Sequence, residues 1–273
     1  MNGVVRSIDT ALVTGASAGI GRELAREFAR HDFNVVLVAR SADKLRSLAL
    51  ELEKEYEIDA IAIPMDLAKP RAPQKLFDIV TSKGIDIDVL VNNAGIAHNT
   101  DFAETAPEDH RQLLQLNVVS LSLLTRLFLP PMLERGEGRI LNVASIFSFF
   151  PTPSVATYGA SKAFVLSLTE ALAVELKNTG VTVTALCPGY TETDMVNNAF
   201  EAVGKETFAS RIPAAFKMNA ADVAREGFDA CMKGKTVHMD RLTNELAAQW
   251  IKLQPRWLVR NVTGLLSRIA LRG

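Results

Sequence analysis

The stretch Thr10 to Gly21, TALVTGASAGIG, decides the architecture. Its first five residues are apolar or β-branched, as a strand covered on both faces requires. The chain then passes with no linker through Gly15, Gly19 and Gly21. Beyond them, Leu24, Ala25, Phe28 and Ala29 recur at helical spacing over Gly21–His31. Strand, glycine turn and helix make one βα unit. The turn carries little side-chain bulk, so N–H groups at the helix start can face a pyrophosphate. The spacing is GxxxGxG, which is not GxGxxG, and Arg22-Glu23 after Gly21 excludes the GxxxxGK[ST] loop. Taken alone, the motif is equally an ordinary glycine-rich turn.

Outward from this unit the pattern repeats. Apolar runs at Asn34–Ala39, Ala60–Pro64, Asp88–Asn92, Arg139–Val143 and Val181–Leu186, with a weaker one at Thr236–Met239, predict further strands. Helices are expected over Ala42–Tyr56, from Pro107 toward Leu129, and over Tyr158–Asn178. Alternating strands and helices predict right-handed βαβ crossovers. The expected fold class is α/β: a single-domain, doubly wound, Rossmann-like parallel sheet of about seven strands with a C-terminal helical extension. The catalytic domain is placed at 1–245 and the extension at 246–273.

Composition bounds the function. The 273 residues are 48% hydrophobic and 22% charged, which suits a folded core and argues against disorder. A net charge of -1 argues against a nucleic-acid-binding domain. Cys187 and Cys231 are too few for a disulfide framework, and His31, His98, His110 and His238 have no metal-ligand spacing, so no metal is expected. A reduced, cytoplasmic setting is favoured, because the segment before Asp9 lacks a signal-like apolar core. Arg126 and Pro130–Pro131 interrupt Leu121–Leu133, so no transmembrane helix is expected.

The second strand run ends Val38-Ala39-Arg40-Ser41, with no acid before Asp43. A carboxylate there would bind ribose hydroxyls and repel a 2′-phosphate, whereas Arg40 can pair with that phosphate in a bidentate manner. NADP(H) is therefore preferred over NAD(H). Tyr158 and Lys162 stand at i and i+4 on one face of a predicted helix. The ammonium is expected to lower the Tyr158 pKa and make it a general acid/base.

Thr14–Gly21, Asn92–Gly95 (NNAG), Asn117, Ser145, Tyr158–Lys162 (YGASK) and Pro188–Thr193 (PGYTET) occur in one consistent order. With these motifs the chain closely resembles the short-chain dehydrogenase/reductase family over roughly residues 8–240. The resemblance implies hydride transfer between a nicotinamide and a carbonyl or secondary alcohol. Tyr158 would be the general acid and Ser145 would hydrogen-bond the substrate oxygen. Lys162 would bind the nicotinamide ribose and tune Tyr158, and Asn117 would hold a water in a proton relay. Ser148 competes with Ser145, but Ser145 directly ends the fifth strand. For the cofactor, the resemblance implies Gly15, Ser17, Gly19, Ile20 and Gly21 at the phosphates. Asp66, Leu67, Asn93, Ala94 and Gly95 would lie near adenine. Pro188, Gly189, Thr191 and Thr193 would lie near the nicotinamide. The alternative is a non-catalytic, dinucleotide-binding regulatory protein of the same fold.

The substrate side is marked by Phe147, Phe149 and Phe150 after Ser145, and by Phe200, Phe208, Ile212, Phe216 and Met218 in an expected lid at about 190–219. These residues fit either a lipophilic ketone, 3-oxoacyl or steroid-like substrate, or packing of the lid. A homo-oligomer is expected. The region matching a tetramer-building strand of many relatives reads VHMDRL without that strand's glycine pair, so a dimer is favoured over a tetramer. From Leu246 to Gly273 there are five basic residues and no acid, so this tail carries +5 and the remainder -6. Arg256, Arg260, Arg268 and Arg272 fall at multiples of four, and Leu258, Val262, Leu265 and Ile269 form an apolar stripe. This basic amphipathic helix fits peripheral membrane contact through 256–272, or docking on its own domain or a second subunit.

Overall fold

The structure is a computed structural model that describes residues 8–191, 193, 217–240, 250 and 253–272, with side chains up to 265 in the last stretch. The strands are β1 (Thr10–Thr14), β2 (Asn34–Ala39), β3 (Ala60–Pro64), β4 (Val89–Asn92), β5 (Gly138–Val143), β6 (Val181–Cys187), β7 (Tyr190–Thr191), β8 (Lys217–Met218) and β9 (Val237–Met239). Seven of them form one sheet in the order β3-β2-β1-β4-β5-β6-β9, and every pairing in it is parallel. The expected strand runs agree with these bounds to within one residue at each end. β7 and β8 pair separately with each other.

The helices are α1 (Gly19–Arg30), α2 (Ala42–Tyr56), α3 (Ala72–Ser82), α4 (Pro107–Leu114), α5 (Leu121–Arg135), α6 (Ala156–Glu175), α7 (Ala220–Met232) and α8 (Arg256–Arg272). Two cores explain why the strands are apolar throughout. Ala11, Val13, Val35, Leu37, Val89 and Val91 point to one side, against Leu24 and Phe28 of α1, Leu45 and Leu52 of α2, and Phe228 of α7. Leu12, Val36, Val38, Leu90 and Ile140 point to the other, against Leu76 and Val80 of α3 and Leu124, Phe128 and Met132 of α5. Each such aliphatic or aromatic side chain contributes about 1.5–3 kcal/mol when fully buried.

The sequence reading left α3 and α7 unassigned. α7 carries a legible start: the Asn219 side chain accepts from Asp222 N at 2.7 Å, an N-cap that satisfies a first-turn amide. α3 begins with Pro73 in its first turn and buries Leu76 and Val80.

The prolines expected to break Leu121–Leu133 do not do so: α5 runs through Pro130 and Pro131 to Arg135. Phe128 and Met132, buried on either side of the pair, hold the helix despite the lost amide donors. Gly136, at φ 68°, then ends it. Together α4, α5 and the turn between them make a helix of 29 residues with mean hydropathy 1.5 in its most apolar stretch, long and apolar enough to cross a membrane. Its inner face packs on the sheet.

Candidate active site

Strand order reverses between β1 and β4, and the crevice this opens at their C-terminal ends is the natural binding place of the fold. Thr14 closes its floor. Its hydroxyl donates to Val91 O at 3.0 Å and accepts from the Asn93 and Ala94 amides at 2.9 and 3.0 Å. Asn93 Nδ2 donates to Thr14 O at 2.8 Å. This bracing leaves no room for a side chain at Gly15 or Gly21. Gly15 has φ 69°, and a Cβ on it would lie 2.6 Å from Asn93 Nδ2. A Cβ on Gly21 would collide with the same nitrogen and with Gly15 O. Residue 18, which caps α1, supplies no side-chain cap, and no acid occupies the helix's first turn. The first-turn amides are thus available to an anion. The chemistry of this cradle fits a dinucleotide pyrophosphate.

A cavity of about 270 Å³ runs from this loop to Tyr158 and Lys162. Gly15, Ser17, Gly19, Ile20 and Gly21 line one end, with Arg40 exposed at its rim. Asp66, Leu67, Asn93, Ala94, Gly95, Pro188, Gly189, Thr191 and Thr193 line it as well. Ser145 also lines it. The cofactor residues expected from the sequence are therefore brought together on one surface. Of the expected lid at 190–219, Phe200, Phe208, Ile212 and Phe216 lie outside the described residues, and Met218 is buried on β8.

Tyr158 and Lys162 are both buried on the first half of α6. Lys162 Nζ donates to Val143 O at 2.8 Å and lies 5.7 Å from the centre of the Tyr158 ring. The pKa expectation is corrected here. Burial pushes the Tyr158 phenol up to about 12, opposed by a hydrogen bond from the Ser145 side chain. Burial pushes Lys162 down to about 8, opposed by Cys187. Loss of water is the largest influence on both groups, so each is driven toward its neutral form. Ser145 begins a short turn, and its Oγ accepts from Phe147 N at 3.2 Å.

Asn117 sits behind the cavity wall in a π-helical stretch, Gln115–Ser120, between α4 and α5. Its Oδ1 accepts from Ile96 N at 3.0 Å, and its Nδ2 donates to Ile96 O and to Ser161 Oγ at 3.0 and 3.2 Å. Its side chain thus clamps the segment after β4 to α6. Ser120, in the same stretch, donates to Leu67 O at 2.6 Å. π-Helical turns commonly mark functional sites.

Sequence reasoning missed two supports. One is a buried amide ladder beneath the site. Asn92 Nδ2 donates to Asn142 Oδ1 at 2.9 Å and to Thr125 Oγ1 at 3.0 Å, and Asn142 Nδ2 donates to Thr169 Oγ1 at 2.9 Å. Its signal is an asparagine inside an otherwise apolar strand. The other is Asp240, fully buried, whose two carboxylate oxygens accept from Gly189 N at 2.9 and 3.0 Å. No local pattern announces a partner 51 residues away.

On the substrate side, Tyr158, Leu113 and Val155 cluster with Ile96, Ala97 and Phe147. Phe147 packs edge-on to Tyr158 and Phe150, whereas Phe149 packs into a separate core beside Leu121 and Val165. Phe147 and Phe150 thus pack beside Tyr158, and Phe149 packs in the core.

This site and sheet belong to a known class. A profile of the short chain dehydrogenase family matches residues 9–204, and the chain belongs to that family. It is 40% identical over 181 residues to a very-long-chain 3-oxoacyl-CoA reductase of Mycosarcoma maydis, covering 64% of this chain and 51% of that protein. To the protein of the same name from Homo sapiens it is 29% identical over 252 residues, covering 89% and 77%. The chain thus spans about half the length of the first of these curated relatives. Among solved structures, a short-chain dehydrogenase from Sphingobium yanoikuyae in complex with NADPH is 30% identical with a TM-score of 0.80, over 95% of this chain and 96% of that one. A bulky-bulky ketone specific alcohol dehydrogenase from Comamonas testosteroni is 27% identical with a TM-score of 0.76, over 96% and 95%.

Proposed function

We propose that the chain is an NADP(H)-dependent oxidoreductase that reduces the ketone of a lipophilic substrate, of which a long 3-oxoacyl thioester is the favoured class. The observation that carries the reading is the single cavity that joins the glycine cradle and Arg40 to Ser145, Tyr158 and Lys162. The 3-oxoacyl relatives and the NADPH complex support the substrate class and the cofactor. The phenylalanine pair beside Tyr158 supports an apolar chain next to the reacting carbon.

When bound, the cofactor supplies a hydride equivalent to the carbonyl carbon. The residues of this chain do the rest. Gly15 to Gly21 and the α1 amides hold the pyrophosphate, and Arg40 pairs with the 2′-phosphate. Ser145 Oγ donates a hydrogen bond to the carbonyl oxygen as negative charge grows on it. Tyr158 delivers its hydroxyl proton to that oxygen, completing the alcohol. Its elevated pKa keeps that proton in place at neutral pH. Lys162 supplies positive charge that stabilises the tyrosinate left behind. Asn117 holds the turn that carries Ile96 against the substrate, and a water relay through it would return the proton.

A dimer is the favoured assembly, supported by the exposed Leu114, Val119, Leu123 and Leu133 on the long helix and Phe164 on α6. A cytoplasmic site of action at the membrane periphery suits an acyl substrate of low solubility.

The test is NADPH oxidation with 3-oxoacyl thioesters of increasing chain length, comparing the native chain with Tyr158→Phe. The expected result is turnover that rises with chain length and falls about 100- to 10,000-fold in the variant. Equal turnover by the variant would overturn the role given to Tyr158, and absence of turnover by both forms would favour the non-catalytic reading.

A further inference from the structure

The C-terminal helix is not used by this chemistry. α8 spans Arg256–Arg272, about 25 Å at 1.5 Å per residue. Leu258, Val262, Leu265 and Ile269 are spaced i, i+4, i+7 and i+11, which puts them within one narrow arc. Among the described side chains of that arc, Val262 is 45% exposed and Leu265 59%, with Leu258 half-buried. Trp257 is 59% exposed, and Trp250 and Leu253 just before the helix are exposed as well. A Cβ on Gly264 would meet nothing within 4 Å.

The charge on this segment is of one sign. Residues 246–273 hold five basic side chains and no acid, while the rest of the chain sums to -6. An anionic surface would therefore repel the body and attract the tail, giving the chain one approach. Apolar stripe, exposed tryptophans and flanking arginines together are the chemistry of the headgroup boundary, where aromatic rings settle and guanidinium groups meet lipid phosphates.

We propose that α8 is a membrane-docking helix that lies in the plane of an anionic bilayer. Its apolar arc faces the acyl boundary and its arginines face the headgroups. The docking goes beyond the proposed reductase activity and does not depend on it.

The experiment is vesicle flotation of the full chain. One vesicle is phosphatidylcholine alone; the other contains about 25 mol % phosphatidylserine. The native chain is expected to float with the anionic vesicles about tenfold more than with the neutral ones, and to lose most of that binding at about 0.5 M salt. Two variants probe the two halves of the contact: Trp257→Ala with Leu265→Ser, and Arg256→Glu with Arg260→Glu. Each should cut flotation on anionic vesicles at least about fivefold. NADPH-dependent turnover of a small water-soluble ketone should stay within about twofold, because these residues lie outside the site and a folded variant retains its cradle. Absence of flotation by the native chain overturns the proposal, as does unchanged flotation of both variants. Variants that turn a native dimer into monomers, with no flotation in either form, assign α8 to a second copy of the chain instead and also overturn it. Failure of turnover in every form, with flotation as expected, counts against the reductase reading alone.

Discussion

Lys162 follows Tyr158 by one helical turn, and burial pushes the two groups in opposite directions, the amine down to about 8 and the phenol up to about 12. Between about 8 and 10.5, the ordinary lysine value, the unfolded chain holds more protons at Lys162 than the folded chain does. Stability therefore rises with pH across that window. Tyr158 acts oppositely above pH 10, where the unfolded chain gives up a proton that the folded chain keeps. The net gain falls between about pH 8 and 10. The expected outcome is a native Tm that rises relative to that of Lys162→Met between those values, read by thermal unfolding. A difference that stays flat with pH would show that Lys162 is not desolvated.

Arg40 stands exposed at the rim of the cavity, at the end of β2. Removing a charge-assisted pair to a phosphate costs about 1.5–3 kcal/mol, or about 10- to 150-fold in affinity. Arg40→Ala should raise KM for NADPH by at least about tenfold and leave NADH within about twofold. Parallel kinetics with both cofactors check this, and an equal loss for both would remove Arg40 from the 2′-phosphate site.

Asp240 holds the Gly189 amide from the end of the sheet. Asp240→Ala leaves that donor without its acceptor and frees the wall that carries Thr191. The expected result is a fall of about tenfold or more in kcat/KM, since small misplacements near a reacting centre are costly. Asp240→Asn keeps one acceptor oxygen and should recover most of the loss, with an unchanged pH profile. An alanine variant as active as the native chain would reduce Asp240 to a packing role.

Asn142 is the middle rung of the buried amide ladder. Asn142→Ala strands the Asn92 amide and Thr169 partners, at about 1–3 kcal/mol, lowering Tm by several degrees. NADPH affinity should fall less than stability does, because the ladder lies below the cavity. Fluorescence titration beside thermal unfolding separates the two.

The sheet was legible because its inner strands β1, β2, β4, β5 and β6 are covered on both faces, so their apolar runs are nearly continuous, whereas the edge strand β9 is only half-buried and gives a weaker run. α5 was misread at Pro130–Pro131 because local propensity lost to the packing of Phe128 and Met132. The residues around the cavity were legible because backbone motifs place them: Gly15 and Gly21 by close approach to Asn93, Tyr158 and Lys162 by helical spacing. What the sequence could not supply was solvation. Whether Lys162 lowers the Tyr158 pKa depends on how much water reaches both, and spacing carries no record of that. Long-range partners such as Asp240 and Gly189 were hidden for a related reason, since nothing local ties them.

The π-helical turn at Gln115–Ser120 sets a phase between the two halves of the long helix. One residue of an α-helix advances the facing direction by about 100°. Deleting a single residue inside that turn would let the helix relax to regular winding with Leu124, Phe128 and Met132 still facing the sheet, and it would cost the hold of Asn117 on Ile96. The extra residue in this turn serves the site and not the second core, so a one-residue deletion there should spare the packing of the long helix on the sheet and be paid for at Asn117.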